Sequence, residues 1–333
     1  MYAPSQARGH WPPACKEPIG AGSRISVRAA MTYVLTPNSM VQQQAGRRAY
    51  CMTQSSTHNA TVLVISSQVI DGQVGIQAIA PGFRSFGLGC IGLPTTLLAA
   101  HPAAYPQAGP PVGGALPATH ITDFAEWLLS AGAFDGLVGV LTGYMPSVEH
   151  VEATAAVIDL LRAQKPDLPV CCDPICGDND QLYLPQEVAT ALGDHLLPRA
   201  SIATPNLFEL GHLAGTGPLN QTQDAAHAAL QLNVPEVIVT SAPGPEGRIA
   251  TLLVSDQLLR CETVAVPQVP HGMGDLFSAL YMGLHLRQDK MALGIATSTM
   301  AKLAAKSANK NALPSGQVGL EKAALQETLT LPS

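Results

Sequence analysis

Between Thr61 and Val239, short apolar runs alternate with longer stretches whose apolar residues recur at helical spacing. The runs predicted to form strands are Thr61–Ser66, Gly89–Leu98, Gly136–Leu141, Leu168–Cys172, Ser201–Ala203 and Val237–Val239. The predicted helices reach about Phe86 after the first strand and then cover about Ile121–Ala131, Val148–Ala163 and Gln186–Leu196. Strands separated by helices pair in parallel, so this order predicts a doubly wound, mostly parallel α/β sheet with helices on both faces.

Polar residues follow several of these strands directly. Asp173 and Asp178 come after one strand, and Asn206 and Glu209 come after the next. The carboxyl ends of parallel strands meet at one crevice, where these four side chains could hold a hard cation that bridges nucleotide phosphates. Taken singly, Asp173 and Asn206 could simply start turns, but four polar strand ends together favour a site.

A glycine-rich turn, Gly272-Met273-Gly274-Asp275, opens directly into an apolar helix. Its two glycines let the backbone approach a ligand closely, and the first N–H groups of the helix have no partner within it. The turn is therefore predicted to bind an anion such as phosphate. Asp275 is either a general base beside a transferring phosphoryl group or a cap of its own helix.

The tail beyond this turn has a helical period. It predicts helices over Leu276–Leu286, about Met291–Ser307 and Leu320–Leu329, which pack over the sheet without chemistry of their own. Upstream, the segment His101–Pro117 is rich in Pro, Gly and Ala and has no period. A loop of that length in a compact domain suggests a lid over the site.

Composition narrows the function classes. The 333 residues are 47% hydrophobic and 13% charged, enough for a large core, and no charge-free apolar run reaches the ~18 residues of a spanning helix. Residues 1–60 hold six basic residues against one acidic, whereas the rest holds twelve against twenty-three, so no nucleic-acid or membrane partner is predicted. Seven scattered cysteines indicate buried thiols in a reducing cytoplasm rather than metal ligands.

The domain prediction has two parts. Residues 1–59 carry no sustained period and are predicted to be a disordered or non-native N-terminal extension, with a targeting segment and a partner-binding arm as alternatives. Residues 60–333 are predicted to form one catalytic domain.

Six motifs in order carry a resemblance to a known family. They are Val64-Ile65-Ser66-Ser67 with Val74-Gly75, Leu141-Thr142-Gly143-Tyr144, Cys172-Asp173-Pro174 with Gly177-Asp178, Thr204-Pro205-Asn206-Leu207-Phe208-Glu209-Leu210, Thr240-Ser241, and Gly272 through Leu280. Together they resemble the pyridoxal kinases of the ribokinase-like fold, and the likeness runs from about Thr61 to at least Leu284. The resemblance implies a flap over the active site and a homodimer.

The same resemblance implies a reaction. ATP would phosphorylate the hydroxymethyl group of a B6 vitamer, with Asp275 as catalytic base and the backbone of Gly272, Met273, Gly274 and Asp275 as the anion hole. Asp178 and Glu209 would lie at magnesium.

Further positions carry over from the resemblance. Asp173, Asn206, Thr204, Thr240 and Ser241 would lie around ATP and a monovalent cation, K+. The predicted vitamer-binding residues are Ser67, Tyr144, His101 and Thr95, the last two belonging to the flap Thr95–Gly113.

The sequence departs from the family pattern in several places. Met273 stands where the family usually has Thr, Ile76 where it has Asn, and Gln68 where it has His or Ser, while Pro102-Ala103-Ala104 follow the flap histidine. Gly75-Ile76-Gln77-Ala78 resembles instead the hydroxymethylpyrimidine kinases of thiamine synthesis. Two alternatives thus stay open: that pyrimidine kinase, and a vitamer-binding relative with little catalytic rate.

Overall fold

A computed structural model describes residues 60–307, 313 and 318–332. These residues belong to the compact unit His58–Ser333. The predicted N-terminal extension, residues 1–59, lies outside the described residues.

The first half of the fold follows the predicted alternation. In chain order it contains β1 (Thr61–Asp71), α1 (Ile76–Arg84), β2 (Gly89–Ala100), a 3-10 turn (Pro106–Ala108), β3 (Gly113–Ala115), α2 (Thr119–Ser130), β4 (Leu137–Thr142) and α3 (Val148–Arg162). Then come β5 (Val170–Cys172), β6 (Gly177–Asp178), β7 (Gln181–Leu182) and α4 (Gln186–Ala191). A π-helical turn (Leu192–Leu196) and a 3-10 turn (Leu197–Arg199) continue α4.

The second half begins with β8 (Ile202–Ala203), α5 (Leu207–Leu213), α6 (Thr222–Gln231) and β9 (Glu236–Pro243). It ends with β10 (Arg248–Val254), β11 (Leu258–Val264), α7 (Met273–Leu286), α8 (Ala292–Ser307) and β12 (Glu327–Leu329).

Ten strands form one sheet in the order β12-β11-β10-β9-β8-β5-β4-β1-β2-β3. The pairs from β2 through β1, β4, β5 and β8 to β9 are parallel, and antiparallel strands extend both edges. The predicted doubly wound, mostly parallel sheet is confirmed. Sequence analysis missed the meander of β10 and β11, which joins the sheet beyond β9.

The sheet separates two apolar cores. Along β1, Leu63 and Ile65 pack into the core that includes α2, α3 and α6, whereas Val62 and Val64 pack into the core that includes α1, α7 and α8. All four side chains are fully buried. Burial on both faces explains why β1 reads as an unbroken apolar run instead of alternating with polar residues.

The C-terminal tail corrects one prediction. Leu320–Leu329 is not a helix: residues 318–326 run without regular structure along α8, and Glu327–Leu329 adds β12 antiparallel to β11. Backbone bonds fix this course, since Ala324 N donates to Gly294 O at 2.9 Å and Glu321 N donates to Thr299 Oγ1 at 3.0 Å. Of the apolar residues in this stretch, Ala324 packs against the core of α8 and Leu329 against the sheet, whereas Leu320 and Leu325 are exposed.

The lid segment His101–Pro117 is more ordered than predicted. It contains the 3-10 turn, and β3 within it pairs antiparallel with β2. No helix in the described part of the chain is long and apolar enough to cross a lipid bilayer.

We expect Gly294→Ala to lower the free energy of unfolding by about 1–2 kcal/mol, because overpacking outweighs the gain in helix propensity. A Cβ at this position would lie 2.6 Å from the carbonyl oxygen of Ala324. Gly319→Ala is the matched control. Gly319 lies in the same tail as Ala324, and no atom lies within 4 Å of its Cβ. Equal midpoints of the two variants in denaturant unfolding would contradict this packing.

Candidate active site

The N-terminus of α7 is shaped by a left-handed glycine. Gly272 is the N-cap, with φ 86° and ψ 2°, and a Cβ there would lie 1.9 Å from the carbonyl oxygen of Gln73. Only glycine fits both the backbone angle and this contact. The close approach therefore fixes the start of α7 against the loop that follows β1.

Asp275 lies in the first turn of α7 and does not cap it. Its Oδ2 accepts a hydrogen bond of 2.9 Å from the backbone N–H of Gly75, which lies two hundred residues earlier in the chain. Its Oδ1 is buried and has no hydrogen-bond partner. The helix-cap hypothesis is wrong, because the cap position belongs to Gly272 and the carboxylate bonds to another segment.

Burial changes the acidity of this carboxyl group. Desolvation raises the pKa of Asp275 to about 6, and the hydrogen bond from Gly75 opposes part of that rise. A carboxylate with a pKa near neutrality and one unpaired oxygen is suited to accept a proton from a substrate hydroxyl.

Gly75, in the loop after β1, lies between Ser67 of β1 and this carboxylate. Gly75 has φ 56° and makes an antiparallel bridge to Gln68, and a Cβ on Gly75 would lie 2.1 Å from the carbonyl oxygen of Ser67. The donor of Asp275 and the predicted vitamer contact Ser67 are thus adjacent. The missing side chain of Gly75 makes this approach possible.

A second buried group lies one helical turn further along α7. Ser278 Oγ donates to Asp173 Oδ2 at 3.0 Å and lies 2.8 Å from Thr204 Oγ1. Burial, and then the charges of Glu209 and Asp275, hold the pKa of Asp173 well above its usual range. The ends of β5 and β8 are therefore tied to α7, and Asp173 and Thr204 are almost inaccessible.

Asn206 and Glu209 form the capping box of α5. Asn206 Oδ1 accepts from Glu209 N at 2.8 Å, and Glu209 Oε2 accepts from Asn206 N at 2.9 Å. Glu209 Oε1 accepts from Cys176 N at 3.0 Å, so backbone donors use both carboxylate oxygens. Desolvation raises the pKa of Glu209 to about 7 although these donors oppose it.

The remaining nucleotide-site and metal-site predictions lie on the rim. Asp178 is exposed on the β6–β7 hairpin, whose two turn residues Asn179 and Asp180 both have positive φ, as a type I′ turn requires. Thr240 bridges to Asn206, and Ser241 beside it is exposed with φ 56° at a bulge of β9. The structure brings Asn206, Glu209 and Thr240 together, and Asp178 lies near enough to Glu209 for its charge to contribute to the raised pKa of Glu209.

The predicted metal ligands are the carboxylates of Asp178 and Glu209. Among the described residues, no group of three or more His, Cys, Asp or Glu side chains is arranged to hold a metal ion by itself. The donors available fit Mg²⁺ that enters with nucleotide phosphates and keeps several waters, which is how Mg²⁺ usually binds in such sites.

The vitamer-binding predictions cluster around the end of β1. Tyr144 N donates to Ser66 Oγ at 3.2 Å, and Tyr144 O accepts from Thr95 Oγ1 at 2.8 Å. Thr95 is fully buried, so its hydroxyl positions Tyr144. Burial raises the pKa of the Tyr144 phenol, which keeps it a neutral donor.

His101 of the flap contacts the glycine turn through a residue that sequence analysis passed over. Its ring stacks on His271, with ring centroids 4.1 Å apart and an interplanar angle of 28°. Ala103 N donates to His101 Nδ1 at 3.2 Å. Desolvation, and then the charge of His271, lower the pKa of His101.

Three further residues escaped prediction: Gly75 as a donor, Ser278 as a link and His271 as a stacking partner. Ser278 carried one signal, since it lies one helical turn beyond Gly274. The other two contacts join segments far apart in sequence.

Two of the departures from the family pattern, Ile76 and Met273, are apolar replacements. Ile76 and Met273, each at the start of a helix, are partly buried against the core of α1, α7 and α8. The Ile76 side chain lies over Gly92, whose added Cβ would come within 3.1 Å of it. Both residues therefore pack against the protein and leave the backbone of the turn in place.

Comparisons with known proteins agree on a family. The family described as Phosphomethylpyrimidine kinase matches residues 137–317. A pyridoxine/pyridoxal/pyridoxamine kinase from Bordetella bronchiseptica is 38% identical over 229 residues, covering 67% of this chain and 80% of that protein. A pyridoxal kinase from Arabidopsis thaliana is 30% identical over 233 residues, covering 67% and 73%.

A solved structure matches the fold. The pyridoxal kinase from Leishmania donovani in complex with ADP and pyridoxamine superposes with a TM-score of 0.73 at 25% identity, covering 82% of this chain and 100% of that one. The sheet order, together with the glycine turn that opens α7, defines a small-molecule kinase of the ribokinase-like class. Within that class, the chain belongs to the pyridoxal kinase family.

We expect Gly272→Ala to destabilise the protein and Gly274→Ala to leave its stability unchanged within about 0.5 kcal/mol. The first change forces a Cβ against Gln73 O in a left-handed backbone, whereas no atom lies within 4 Å of a Cβ on Gly274. Thermal unfolding of both variants checks this. A normal melting temperature for Gly272→Ala would refute the close contact.

We expect Asp275→Asn to stabilise the protein above pH 6. The pKa of Asp275 is about 6 in the folded protein and 3.8 ordinarily, so the folded state binds the proton more tightly than the unfolded state. The contribution of this proton to the free energy of unfolding is therefore complete below pH 3.8 and is lost as the pH rises through about 6. Removing the charge should raise the free energy of unfolding by roughly 2–3 kcal/mol at pH 8 and leave it unchanged at pH 3.8. Melting temperatures across pH, with the exposed Asp178→Asn as control, measure this. A variant less stable than wild type at pH 8 would contradict it.

Proposed function

We propose that this protein transfers the γ-phosphoryl group of ATP to the 5′-hydroxymethyl group of pyridoxal, and also accepts pyridoxine and pyridoxamine. The single observation that carries this proposal is the buried Asp275 at the glycine turn, with Oδ2 held by Gly75 and Oδ1 unpartnered. Family membership supplies the substrate class, and the site supplies the base and the anion-binding backbone.

Asp275 acts as general base. It takes the proton of the hydroxymethyl group while that oxygen attacks the γ-phosphorus, the bond from phosphorus to the β-γ bridging oxygen breaks, and ADP leaves with the electron pair. The proton then passes from Asp275 to solvent. The first N–H groups of α7 point at the charge that develops on the transferring phosphoryl oxygens. Gly274 leaves open space in front of this turn.

The polar strand ends serve the nucleotide. Asn206, Thr240 and Ser241 line its path, while Asp173 and Thr204 lie deeper and suit a monovalent cation, K+, that would offset the buried carboxyl groups. Asp178 would hold Mg²⁺ through water together with the phosphates. Glu209 would act on the metal indirectly, since its two carboxylate oxygens already accept backbone hydrogen bonds. Such cations supply charge compensation to the phosphates.

Vitamer contacts come from three elements. Ser67 follows the central part of β1, Tyr144 follows β4, and His101 opens the flap. Thr95 supports Tyr144 through the hydrogen bond to its carbonyl oxygen. Ser67 lies against Gly75, Tyr144 hydrogen-bonds to Ser66 and His101 stacks on His271, and these contacts support one pocket for a hydroxymethyl heteroaromatic ring.

A second candidate substrate is hydroxymethylpyrimidine. The matching family description and the run Gly75-Ile76-Gln77-Ala78 favour it. The curated kinases at 30–38% identity favour the B6 vitamers. A relative that binds the vitamer with little catalysis is the third candidate, and the intact Asp275 argues against it.

We also propose a homodimer in the cytoplasm. An exposed apolar groove lined by Leu93, Phe124, Trp127 and Leu128 supports association, and free cysteines in the described residues support a reducing compartment. Sedimentation equilibrium that returned the monomer mass would refute the dimer. Subcellular fractionation would test the compartment, with the protein expected in the cytoplasmic fraction.

Purified protein with ATP and Mg²⁺ should phosphorylate pyridoxal, and Asp275→Ala should lower kcat by about 10²-fold or more, because a positioned base is lost. Parallel assays with pyridoxine, pyridoxamine and hydroxymethylpyrimidine rank the substrates. Pyridoxal binding in calorimetry without ADP release would establish the non-catalytic alternative, and a preference for hydroxymethylpyrimidine would establish the second candidate.

Two further measurements sharpen this test. The wild-type kcat/KM should fall about tenfold per pH unit below pH 6, because protonated Asp275 cannot accept a proton. Gly274→Ala should keep its melting temperature yet lose turnover, because its methyl group occupies the space proposed for the phosphoryl oxygens. Full turnover in Asp275→Ala or in Gly274→Ala would remove the mechanism.

A further inference from the structure

The stacked pair His101–His271 joins two parts of the site that are far apart in the sequence. His101 lies in the flap, directly after the end of β2, and His271 immediately precedes the N-cap of α7. Their ring centroids are 4.1 Å apart and their planes meet at 28°, which is a stacked contact.

The His271 side of the contact is held firmly. Gly272, next in the chain, has φ 86°, and its Cα lies against Gln73 O so closely that no Cβ fits. Leu276 N donates to Gly272 O at 3.0 Å, which closes the first turn of α7. The backbone that carries the His271 ring is therefore anchored to the anion-binding turn.

The flap side is anchored elsewhere by contacts that do not reach the turn. The hydroxyl of Tyr105 hydrogen-bonds to Asp71 at the end of β1, Ala99 N donates to Val112 O, and Leu116 N donates to Thr95 O. These contacts hold the middle and the C-terminal part of the flap to β1 and β2. At the N-terminal part of the flap, His101 contacts the turn itself.

The acidity of His101 agrees with a closed contact. Burial and the neighbouring His271 lower the pKa of His101, so the stacked arrangement favours its neutral ring. The Nδ1 atom of His101 already accepts from Ala103 N, which orients the ring toward His271.

We propose that His271 is a positioning residue whose ring stacks on His101 when the flap closes over the vitamer. This stacked contact, the His101–His271 clamp, couples closure of the flap to the glycine turn that binds the transferring phosphoryl group. This inference rests on the proposed function and adds a residue to it. The stack contributes to vitamer affinity, and the chemistry at Asp275 does not depend on it.

The prediction is a split between KM and kcat. His271→Ala should raise the KM for pyridoxal about fivefold, the factor expected from one aromatic pair, and leave the KM for ATP and kcat within about twofold. His271→Phe should restore the wild-type KM, since a phenyl ring can also stack. In the double variant with His101→Ala the two effects should not add.

The matched control is His120→Ala. His120 stacks on Phe124 on the surface of α2, with centroids 5.2 Å apart, and should change neither kinetic constant. A purely structural role of His271 would instead lower kcat, raise the KM for ATP and resist rescue by Phe. An unchanged KM for pyridoxal in His271→Ala, or additive effects in the double variant, would overturn the clamp.

A measurement without substrates separates this inference from the proposed function. Amide hydrogen exchange at Ala103 and Ala104 should be faster in His271→Ala than in His271→Phe or wild type, because the flap loses its contact with the turn. Unchanged exchange would overturn the clamp even if kinase activity is present. Absence of kinase activity with faster exchange would overturn the proposed function and retain the clamp.

Discussion

The buried hydrogen bond from Gly75 N to Asp275 Oδ2 is the interaction on which the rest of the site depends. It joins a carboxylate at the start of α7 to the loop after β1, two segments that are two hundred residues apart in the sequence. A buried carboxylate is costly unless it is hydrogen-bonded, and here one backbone donor supports one oxygen while the other stays unpaired. That imbalance costs stability and leaves a carboxyl group whose pKa lies near neutrality.

Two glycines make that bond possible. Gly75 and Gly272 both adopt positive φ, and each lies against a carbonyl oxygen at a distance that excludes a Cβ. Together they pin the loop after β1 to the start of α7. Ser278 contacts Asp173 and Thr204 one turn deeper, so buried polar contacts tie α7 to the ends of β5 and β8 as well as to the loop after β1.

The sequence predicted the site at the level of segments and could not assign every contact. Asp275 was correctly placed at a glycine turn, but its local pattern also allowed a helix cap, and only its bond to Gly75 excludes that alternative. Glu209 was predicted at a metal, yet its oxygens accept backbone hydrogen bonds in a capping box. Its proposed role therefore becomes indirect. The tail Leu320–Leu329 was misread because its course is fixed by backbone hydrogen bonds to α8 and β11, which an apolar spacing in the sequence does not reveal.

The sequence by itself determined the alternation of strands and helices, the order of polar strand ends and the glycine turn that opens α7, because these depend on local periodicity and backbone freedom. The tertiary structure alone decided which polar groups share a bond, which are buried and which stay open. Desolvation and hydrogen bonding are set by neighbours that lie far away in the chain, such as Gly75 for Asp275 and His271 for His101. For that reason the acidity of Asp275 and the contact of the flap with the turn emerge only in the folded protein.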